Sequence, residues 1–435
     1  MFRPTGFADL AGKRVGIFGY GIEGHATLRR LDGVAARLVI VDDAPEIVGH
    51  VLATTDGGLD ALFGCDVVLK SPGIPRWRAD ILALEDHGVV VTSALNLWLH
   101  DVDRDRVVAI TGTKGKSTTT ALISFFLDCL GETSLQLGNI GQPPYSPEVD
   151  TSNGWLVLEV SSFQCVDINV APRLVIVTSL GSDHLDWHGS LENYQADKLS
   201  LTSALGDHVT MVPDDSTFHD VEGRLGGELR FVASDSTGLA MSLGLMGAHS
   251  DSNVALALHA VALLTGRTID DVDRRVRPMA STFEPLRGRL TLVTTSNFGA
   301  VSLRFVDDGL ATSVLPSIAA LAVFMHDPVA MIVGGFDRGV DYSPLAEALA
   351  ARVKPTTVLT MGDAGQRIAE ALRRIGPDVV QHGVSTMRDA VTEARASLPG
   401  GGVVLLSPAA PSFDRYNNWE ERSEDFTAVV NEITS

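Results

Sequence analysis

The feature that most constrains the fold is a glycine-lysine loop between a predicted strand and a predicted helix. Residues 107–110 form an apolar, β-branched run typical of a buried strand, and residues 118–130 place apolar side chains at helical spacing. The loop between them reads Thr-Gly-Thr-Lys-Gly-Lys-Ser-Thr over residues 111–118. Because backbone N–H groups and the helix dipole point at an anion in such a turn, the sequence predicts a phosphate cradle in an α/β fold.

The loop also supplies the side chains that a nucleotide requires. Lys116 offers a point charge to the outer phosphates, and Ser117 or Thr118 offers a hydroxyl to Mg²⁺. The longer form of the pattern has a glycine where Ile110 stands, so a plain glycine turn with exposed lysines is the alternative. The flanking strand and helix favour phosphate, and we expect ATP as co-substrate. The predicted phosphate-binding set is Gly112, Thr113, Lys114, Gly115, Lys116, Ser117 and Thr118.

Composition and charge narrow the class of protein. A chain of 435 residues with 45% hydrophobic and 20% charged residues predicts two or three globular domains. No apolar stretch reaches the ~18 residues of a membrane span, and the N-terminus lacks a signal-peptide pattern. The widely spaced Cys65, Cys129 and Cys165 predict neither a disulfide framework nor a metal cluster. We expect a cytoplasmic, monomeric protein without a membrane partner.

The formal net charge of −20 argues against nucleic acid as a partner. An acidic surface also repels anionic small molecules at long range, so an anionic substrate requires local cationic pockets. The cations that the sequence offers for such pockets are Lys114, Lys116, Lys198, Arg289 and Arg338.

Residues 1–103 predict a small α/β domain that holds a nucleotide-like group. Gly19-Tyr-Gly-Ile-Glu-Gly24 follows an apolar strand, and Asp42 ends the next strand. This pattern cradles nucleotide diphosphates, although a single match is weak evidence for NAD. A further strand runs into Ser71-Pro-Gly73, at the edge of a parallel sheet where ligands bind.

Residues 104–290 and 291–435 predict two further parallel sheets covered by helices. In the second segment, Glu159 ends one strand and His184 follows the next, which suits a Mg²⁺ site completed by Ser117. His184 is an unusual ligand for Mg²⁺, and a hydrogen-bonded histidine at a strand end is the alternative. Lys198 lies on a predicted helix over residues 191–201, where most lysines are solvated.

The third segment offers two turns at strand ends. Gly334-Gly-Phe-Asp-Arg-Gly339 presents Arg338, and a second turn begins at Ser407. Both are compatible with ordinary Gly/Pro turns or with two walls of one crevice. Arg289, at the hinge before this segment, suits either phosphate or an interdomain ion pair.

These motifs, in this order, resemble the Mur ligases of peptidoglycan precursor synthesis. The resemblance spans about 300 residues, from the phosphate loop through Gly-Asn-Ile-Gly at Asn139 and Leu-Glu-Val-Ser-Ser-Phe-Gln at Glu159 to Leu-Ser-Pro-Ala at Ser407. Within the family, the N-terminal motif and the segment around Glu159 look like those of the enzymes that add glutamate to UDP-N-acetylmuramoyl-L-alanine. The resemblance implies an α/β fold with three domains: an N-terminal Rossmann-like UDP-binding domain, a central P-loop ATPase-type parallel sheet and a C-terminal Rossmann-like domain.

The resemblance further implies an ATP-dependent amide synthesis. The substrate carboxylate attacks the γ-phosphate, and the amine of glutamate then displaces phosphate from the acyl phosphate. Implied catalytic residues are Lys116, His184 and Lys198; implied metal ligands are Ser117, Glu159, His184 and a carbamylated Lys198; and Asn139 and Arg289 join the loop in binding ATP. The implied UDP-substrate residues are Gly19, Tyr20, Gly21, Ile22, Asp42, Ser71 and Gly73, and the implied glutamate residues are Leu310, Thr312, Arg338, Ser407 and Phe413.

Departures from the family pattern bear on the glutamate isomer. Members that add D-glutamate carry a lysine where Leu310 stands here, and Arg338 replaces another lysine of that pocket. Residues 185–189 and 337–341 look like those of the smaller branch that adds L-glutamate, so the sequence predicts L-glutamate. Further departures are Ser179 and Ser250 at usual asparagine positions, and Gly288 at a usual histidine position.

Four alternatives remain. The same reaction with D-glutamate is the nearest one. A folate polyglutamylating ligase is disfavoured because those enzymes lack the N-terminal domain that residues 14–43 indicate. A non-catalytic nucleotide-binding homologue would bind ATP without releasing phosphate. An NAD oxidoreductase would use the Gly19–Gly24 turn, but no acid–base pair near that turn in the sequence supports it.

Overall fold

Three sheets of five, six and six strands organise the chain in the computed structural model. The structure describes residues 3–45, 50–139, 141–299 and 301–434. By contact density the chain divides into two compact units: unit 1 is Met1–Leu239 with Asp251–Ala280, and unit 2 is Ala240–Ser250 with Ser281–Ser435. The predicted α/β class is confirmed, whereas the domain boundaries at residues 103 and 290 stay predictions, since the first two sheets share unit 1.

The first sheet is entirely parallel and begins unit 1. Its strands are β1 (Arg14–Phe18), β2 (Arg37–Asp42), β3 (Val51–Ala53), β4 (Val67–Lys70) and β5 (Val90–Thr92), and its helices are α1 (Ile22–Leu31), α2 (Leu59–Phe63), α3 (Ala79–Asp86) and α4 (Ala94–Asp101). The strand order is β3-β2-β1-β4-β5. The central β1 is buried beyond its first residue because helices cover both faces of such a sheet. The carboxyl ends of β1, β2 and β4 therefore meet at one edge.

The second sheet, also in unit 1, is parallel and has the order β11-β10-β9-β6-β8-β7. Its strands are β6 (Val107–Thr111), β7 (Ser134–Gly138), β8 (Trp155–Glu159), β9 (Leu174–Val177), β10 (Val209–Pro213) and β11 (Glu228–Val232). The helices of this part of the chain are α5 (Lys116–Cys129), α6 (Ser162–Cys165), α7 (Leu185–His188), α8 (Leu191–Leu199), α9 (Ser216–His219), α10 (Leu239–Ser242), α11 (Ala248–Thr265) and α12 (Ile269–Val276). The fully buried β6 lies between β8 and β9, as its continuous apolar sequence predicts.

One hydrophobic core joins the first two sheets. It contains Ile17 and Leu69 from the first sheet and Ala109 and Leu158 from the second. A buried ion pair adds to it, because Lys70 Nζ at the end of β4 lies 2.5 Å from Asp167 Oδ2 after α6. Within unit 1, the nucleotide turn and the phosphate loop are therefore fixed relative to each other.

The third sheet forms unit 2 and has the order β12-β13-β17-β14-β15-β16. Its strands are β12 (Thr291–Phe298), β13 (Val301–Asp307), β14 (Val329–Gly334), β15 (Thr356–Met361), β16 (Val380–Gly383) and β17 (Gly402–Leu406), and its helices are α13 (Val314–Val323), α14 (Ser343–Ala350), α15 (Gly362–Ile375), α16 (Met387–Ala396) and α17 (Trp419–Thr434). Only the edge strand β12 is antiparallel to its neighbour. Separate apolar clusters cover the two faces, as expected of a doubly wound sheet.

Short 3₁₀ helices connect these elements at Phe7–Leu10, Arg104–Arg106, Ser200–Ser203, Glu222–Arg224 and Arg277–Thr282, and a wider turn lies at Thr54–Gly58. Among the described residues, no helix combines the length and hydropathy that crossing a bilayer requires.

Candidate active site

Two glycines of the phosphate loop adopt backbone conformations that other residues rarely take. Gly112 adopts φ 145°, and a Cβ at this position would collide with Thr178 Oγ1. Gly115 is left-handed, with φ 89°, and caps α5, which begins at Lys116 rather than at the predicted residue 118. The first turn of α5 therefore presents its backbone N–H groups at the loop, an arrangement that stabilises an anion.

Residues after β9 hold the loop from the side. Thr113 N donates to Ser179 O at 2.9 Å, and Lys114 N donates to Ser179 Oγ at 2.8 Å. Ser179 Oγ lies 3.0 Å from the Lys114 carbonyl oxygen, to which Thr178 Oγ1 also donates, at 2.5 Å. The serine at a usual asparagine position thus retains both an acceptor and a donor for the loop.

Two lysines converge on one carbonyl of the loop. Lys116 Nζ donates to Gly112 O at 2.8 Å, and Lys198 Nζ donates to the same oxygen at 3.0 Å. Lys198 is only 1% exposed, so it is not the solvated helix lysine that its sequence context alone indicates. Burial, together with the Lys116 ammonium, lowers the pKa of Lys198 to about 7.

Glu159 ends the strand beside the one that leads into the loop, since it pairs with Ile110 of β6. Its Oε1 accepts from Asn139 Nδ2 at 2.8 Å, whereas its buried Oε2 has no hydrogen-bond partner among the described residues. A buried carboxylate oxygen without a partner is costly unless it meets a cation. Asn139, implied as a nucleotide contact, here orients Glu159.

The oxygen atoms of Glu159 and Ser117 suit Mg²⁺, which needs few protein ligands, better than a metal that protein side chains coordinate alone. In the part of the chain that the structure describes, no group of three or more His, Cys, Asp or Glu side chains converges on one point. Mg²⁺ is commonly held by one or two carboxylates together with water and substrate phosphates. Glu159 Oε2 and the half-buried Ser117 in the first turn of α5 are compatible with such a site.

His184 lies at the N-terminus of α7 in a strained backbone conformation, with φ 49° and ψ 39°. Non-glycine residues in this region are found where function or packing requires them. The ring is half exposed and lies 4.9 Å from the ring of Phe163, measured between centroids. The carboxylate of Asp183 lies 3.6 Å from Lys114 Nζ and 3.9 Å from His184 Nε2.

Tyr194 contacts the loop and was not singled out from the sequence. Its hydroxyl donates to Thr113 Oγ1 at 2.9 Å, and Lys198 Nζ lies 5.0 Å from the centre of its ring. Burial raises the pKa of Tyr194 to about 12, so the phenol stays a donor at neutral pH. The signal in the sequence is the four-residue spacing from Lys198, which places both side chains on one face of α8.

A buried histidine fixes the other side of α8. His188 Nε2 lies 3.0 Å from Ser162 Oγ, and His188 Nδ1 lies 2.6 Å from Asp197 Oδ2. Ser162 and His188 are 4% and 1% exposed, which leaves no room for a substrate at the hydroxyl. Burial lowers the pKa of His188. Despite its Ser-His-Asp composition, this array therefore positions the helix that carries Lys198.

The structure brings together most of the predicted UDP-substrate residues at the edge of the first sheet. Ser71 Oγ donates to Gly19 O at 2.7 Å, and Tyr20 N donates to Asp42 Oδ2 at 2.6 Å. Gly21 caps α1, and the following Ile22 is 79% exposed. Gly73 is exposed in the turn after β4.

Glu23, inside the glycine motif, links this turn to the second sheet. Its two carboxylate oxygens accept from Gln164 Nε2 at 2.7 Å and from Tyr145 Oη at 2.9 Å. Burial raises the pKa of Glu23. Both donors lie more than 120 residues away in sequence, so their partnership could not be read from the motif.

In unit 2, the predicted glutamate residues divide into buried and exposed sets. Ser407 is fully buried, and its hydroxyl donates to Asp308 Oδ2 at 2.7 Å. Burial raises the pKa of Asp308 to about 7. Leu310 and Thr312 are half-buried, while Arg338 and Phe413 are exposed.

The hinge segment lies beside the loop that carries Leu310. Leu310 N donates to Gly288 O at 3.0 Å, and Leu290 N donates to Asp308 Oδ1 at 3.3 Å. Arg289 is near enough to lower the pKa of Asp308 against the larger effect of burial. A Cβ on Gly288 would lie 2.5 Å from Trp419 Cζ3, so the usual histidine does not fit this backbone.

The two turns predicted to share a crevice do lie side by side. Gly334 N donates to Pro408 O at 2.7 Å, and Phe336 N donates to Pro411 O at 2.9 Å. They follow the adjacent strands β14 and β17, between which the chain order reverses. Ligands of open α/β sheets bind at such a point.

Together, the anion-binding loop, the buried lysine and the unpaired carboxylate oxygen define an enzyme of nucleotide-dependent phosphoryl transfer. The Mur ligase middle domain model matches residues 110–226. A UDP-N-acetylmuramoyl-L-alanine–L-glutamate ligase of Micromonospora sp. is 37% identical, and the alignment covers 97% of each chain. A UDP-N-acetylmuramoylalanine–D-glutamate ligase of Symbiobacterium thermophilum is 30% identical, covering 97% of this chain and 98% of the relative.

The chain belongs to the Mur ligase family of ATP-dependent amide ligases. The family and enzyme class predicted from the sequence are therefore confirmed. A solved structure, MurF from Acinetobacter baumannii, shares the fold with a TM-score of 0.56 at 16% identity, over 95% of this chain and 93% of that one.

Proposed function

We propose that this protein joins L-glutamate to UDP-N-acetylmuramoyl-L-alanine, with ATP as co-substrate, in peptidoglycan precursor synthesis. The observation that carries the proposal is the convergence of Lys116 and Lys198 on the phosphate loop, beside a strand that ends in Glu159. The name of the relative at 37% identity supports the substrate and the isomer.

The alanine carboxylate attacks the γ-phosphorus of ATP, ADP leaves, and an acyl phosphate forms. The glutamate amine then attacks the acyl carbon, and inorganic phosphate leaves as the amide forms and the amine loses a proton. Lys116 and the N–H groups of α5 neutralise charge that develops on the phosphates. Tyr194 keeps the loop in position through Thr113.

Glu159 and Ser117 would hold Mg²⁺, which would supply charge neutralisation at the phosphates. His184 and Lys198 belong to the same proposed site. A lysine whose pKa is about 7 is substantially neutral at neutral pH, and a neutral amine adds to carbon dioxide to give a carbamate and a proton. Carbamylation would convert the Lys198 cation into an anionic ligand beside the loop, which is the role we assign to it.

The choice of glutamate isomer is assigned to unit 2. Leu310 places an apolar side chain on the loop between the hinge and α13, and the exposed Arg338 offers a cation at the turn after β14. Thr312, Ser407 and Phe413 complete the proposed pocket. D-glutamate is the alternative, supported by the relative that is 30% identical.

Phosphate release with UDP-N-acetylmuramoyl-L-alanine and ATP, measured with L-glutamate and D-glutamate in parallel, tests the proposal. We expect release with the L-isomer and a product one glutamyl residue heavier by mass spectrometry. Activity only with D-glutamate overturns the isomer, and ATP binding without release with either isomer indicates a non-catalytic homologue. Light scattering of the same sample tests the expected monomer.

A further inference from the structure

Two tryptophans join the substrate turn of the first sheet to the segment that follows His184. Trp187 Nε1 donates to the carbonyl oxygen of Gly73 at 3.0 Å, and Trp77 Nε1 donates to the carbonyl oxygen of Trp187 at 3.1 Å. Each indole thus binds the backbone of the other's segment, although the segments lie 110 residues apart. We call this reciprocal pair, Trp77 and Trp187, the indole latch.

The latch continues into a chain of aromatic contacts. The Trp187 ring lies 4.8 Å from Phe163 and 4.4 Å from His188, measured between centroids. Phe163 in turn contacts His184 at 4.9 Å, and His188 contacts Tyr194 at 5.1 Å. Aromatic pairs at these separations attract one another beyond simple area burial.

This series of aromatic contacts reaches the phosphate loop through the hydrogen bond from Tyr194 to Thr113. It also includes the one-turn helix α7, whose first bonds run from the N–H groups of Trp187 and His188 to the carbonyl oxygen of His184. A displacement of Trp187 would therefore change the backbone geometry at His184, which is already strained.

We propose that the indole latch couples occupation of the Ser71–Gly73 turn to His184 and the phosphate loop, with Trp187 as the positioning residue. Trp77 is 56% exposed, so its hydrogen bond forms beside solvent and contributes little net free energy. A ligand that orders the turn around Gly73 strengthens both indole bonds, whereas a vacant turn leaves them in competition with water. The coupling acts in both directions, because binding linkage is reciprocal.

The proposal rests on the proposed function for the identity of the ligand at the turn, but its first test measures binding and does not require turnover. Affinity for a non-hydrolysable ATP analogue, adenosine 5′-(β,γ-imido)triphosphate, is measured by calorimetry with and without saturating UDP-N-acetylmuramoyl-L-alanine. For the unmodified protein we expect the substrate to tighten analogue binding by about threefold to tenfold, the effect expected of one or two neutral hydrogen bonds.

The variant Trp187→Phe removes the indole N–H donor and keeps an aromatic ring at this position. We expect it to reduce the coupling ratio toward one, to raise KM for the UDP-substrate by about threefold to tenfold, and to leave KM for glutamate unchanged. Trp77→Phe should give a smaller change in the same direction, and the double variant should not be additive because the two bonds share one arrangement. Trp155→Phe, at the opposite end of β8 from Glu159, is the matched control.

A coupling ratio that Trp187→Phe leaves unchanged overturns the latch, as does a ratio of one in the unmodified protein. If Trp187→Phe lowers the melting temperature and changes the KM values for ATP, the UDP-substrate and glutamate equally, its role is purely structural. That result would also overturn the latch. If the unmodified protein binds the ATP analogue but no UDP-substrate, the proposed function fails first, and the latch fails with it.

Discussion

At the carboxyl edge of the second sheet the two candidate lysines are held by the loop itself, whereas at the carboxyl edge of the third sheet the candidate arginine is exposed. Lys116 and Lys198 donate to the same carbonyl oxygen, and Glu159 lies buried on the neighbouring strand. In unit 2, Arg338 lies on the exposed part of its turn, and Asp308 and Ser407 are among the buried polar groups.

The difference follows from what each site has to do. Phosphoryl transfer depends on charges that are positioned before reaction, because reorganisation then costs nothing at the transition state. Selection between two amino acids depends on a free-energy difference of a few contacts, which single exposed side chains can supply. The phosphate edge should therefore tolerate substitution poorly, and the third-sheet edge should change selectivity first.

The largest effect is expected at the loop. Replacing Lys116 by alanine removes the cation that we assign to the outer phosphates, and we expect kcat for phosphate release to fall by at least about 100-fold with either glutamate isomer. Lys354→Ala, exposed in unit 2, is the control. Activity of Lys116→Ala within twofold of the unmodified enzyme would remove the loop from the mechanism.

Glu159→Gln keeps the shape of the side chain and removes its charge. We expect kcat to fall by about 100-fold and the Mg²⁺ concentration for half-maximal activity to rise, because an amide is a poor ligand for a hard cation. The melting temperature should not fall, since a buried charge is lost along with its desolvation cost. An unchanged Mg²⁺ dependence would contradict the assignment, and Glu347→Gln on the exposed face of α14 is the control.

The buried carboxyl of unit 2 predicts a pH effect on stability. Asp308 has a pKa of about 7 when folded, against about 4 when unfolded, so the folded protein binds more protons between these values. The free energy of unfolding therefore falls as pH rises through this window, by up to about 4 kcal/mol from this group. Asp308→Asn stays neutral, and we expect its melting temperature to drop less between pH 5 and pH 8.

The control is Asp378→Asn, at an exposed position, whose melting temperature is also measured at pH 5 and pH 8. We expect it to drop as much as that of the unmodified protein. Equal drops in all three proteins would mean that Asp308 does not titrate in this range.

The smallest effect is expected for isomer selection. Leu310→Lys returns a cation to the loop beside Gly288, and we expect the ratio of kcat/KM for L-glutamate over D-glutamate to fall by about tenfold, as one charge-assisted contact allows. Leu315→Lys, exposed on α13, is the matched control. A ratio that stays the same in Leu310→Lys would place isomer selection elsewhere.

Local signals in the sequence were sufficient for the elements of the phosphate edge. The strand expected at residues 107–110 is β6 (Val107–Thr111), and the helix expected from residue 118 is α5 (Lys116–Cys129). The antiparallel pair β12–β13 at the edge of the third sheet was not predicted, because β12 is mostly polar and shows neither an apolar run nor a regular alternation. Propensity is a weak guide for edge strands, whose packing is one-sided.

Contacts of long sequence separation were not accessible in this way. Tyr194 and Thr113 are 81 residues apart, and Trp187 and Gly73 are 114 residues apart. These contacts depend on which strands lie next to each other in the sheets, and no sequence periodicity encodes that strand order. His188 could not be distinguished from His184 as the buried histidine for the same reason.

The sequence by itself determined the chemistry, because a phosphate loop, its lysine and a carboxylate at a strand end are specified by residue type and short spacing. The family likewise followed from motifs in order. The tertiary structure decided which groups are buried and therefore how they behave. It buries Lys198, leaves Glu159 Oε2 without a hydrogen-bond partner among the described residues, and brings Trp187 Nε1 within hydrogen-bond distance of the Gly73 carbonyl oxygen. Desolvation and hydrogen-bond geometry arise only when distant segments pack together, and these set the pKa values and the coupling that residue types alone leave open.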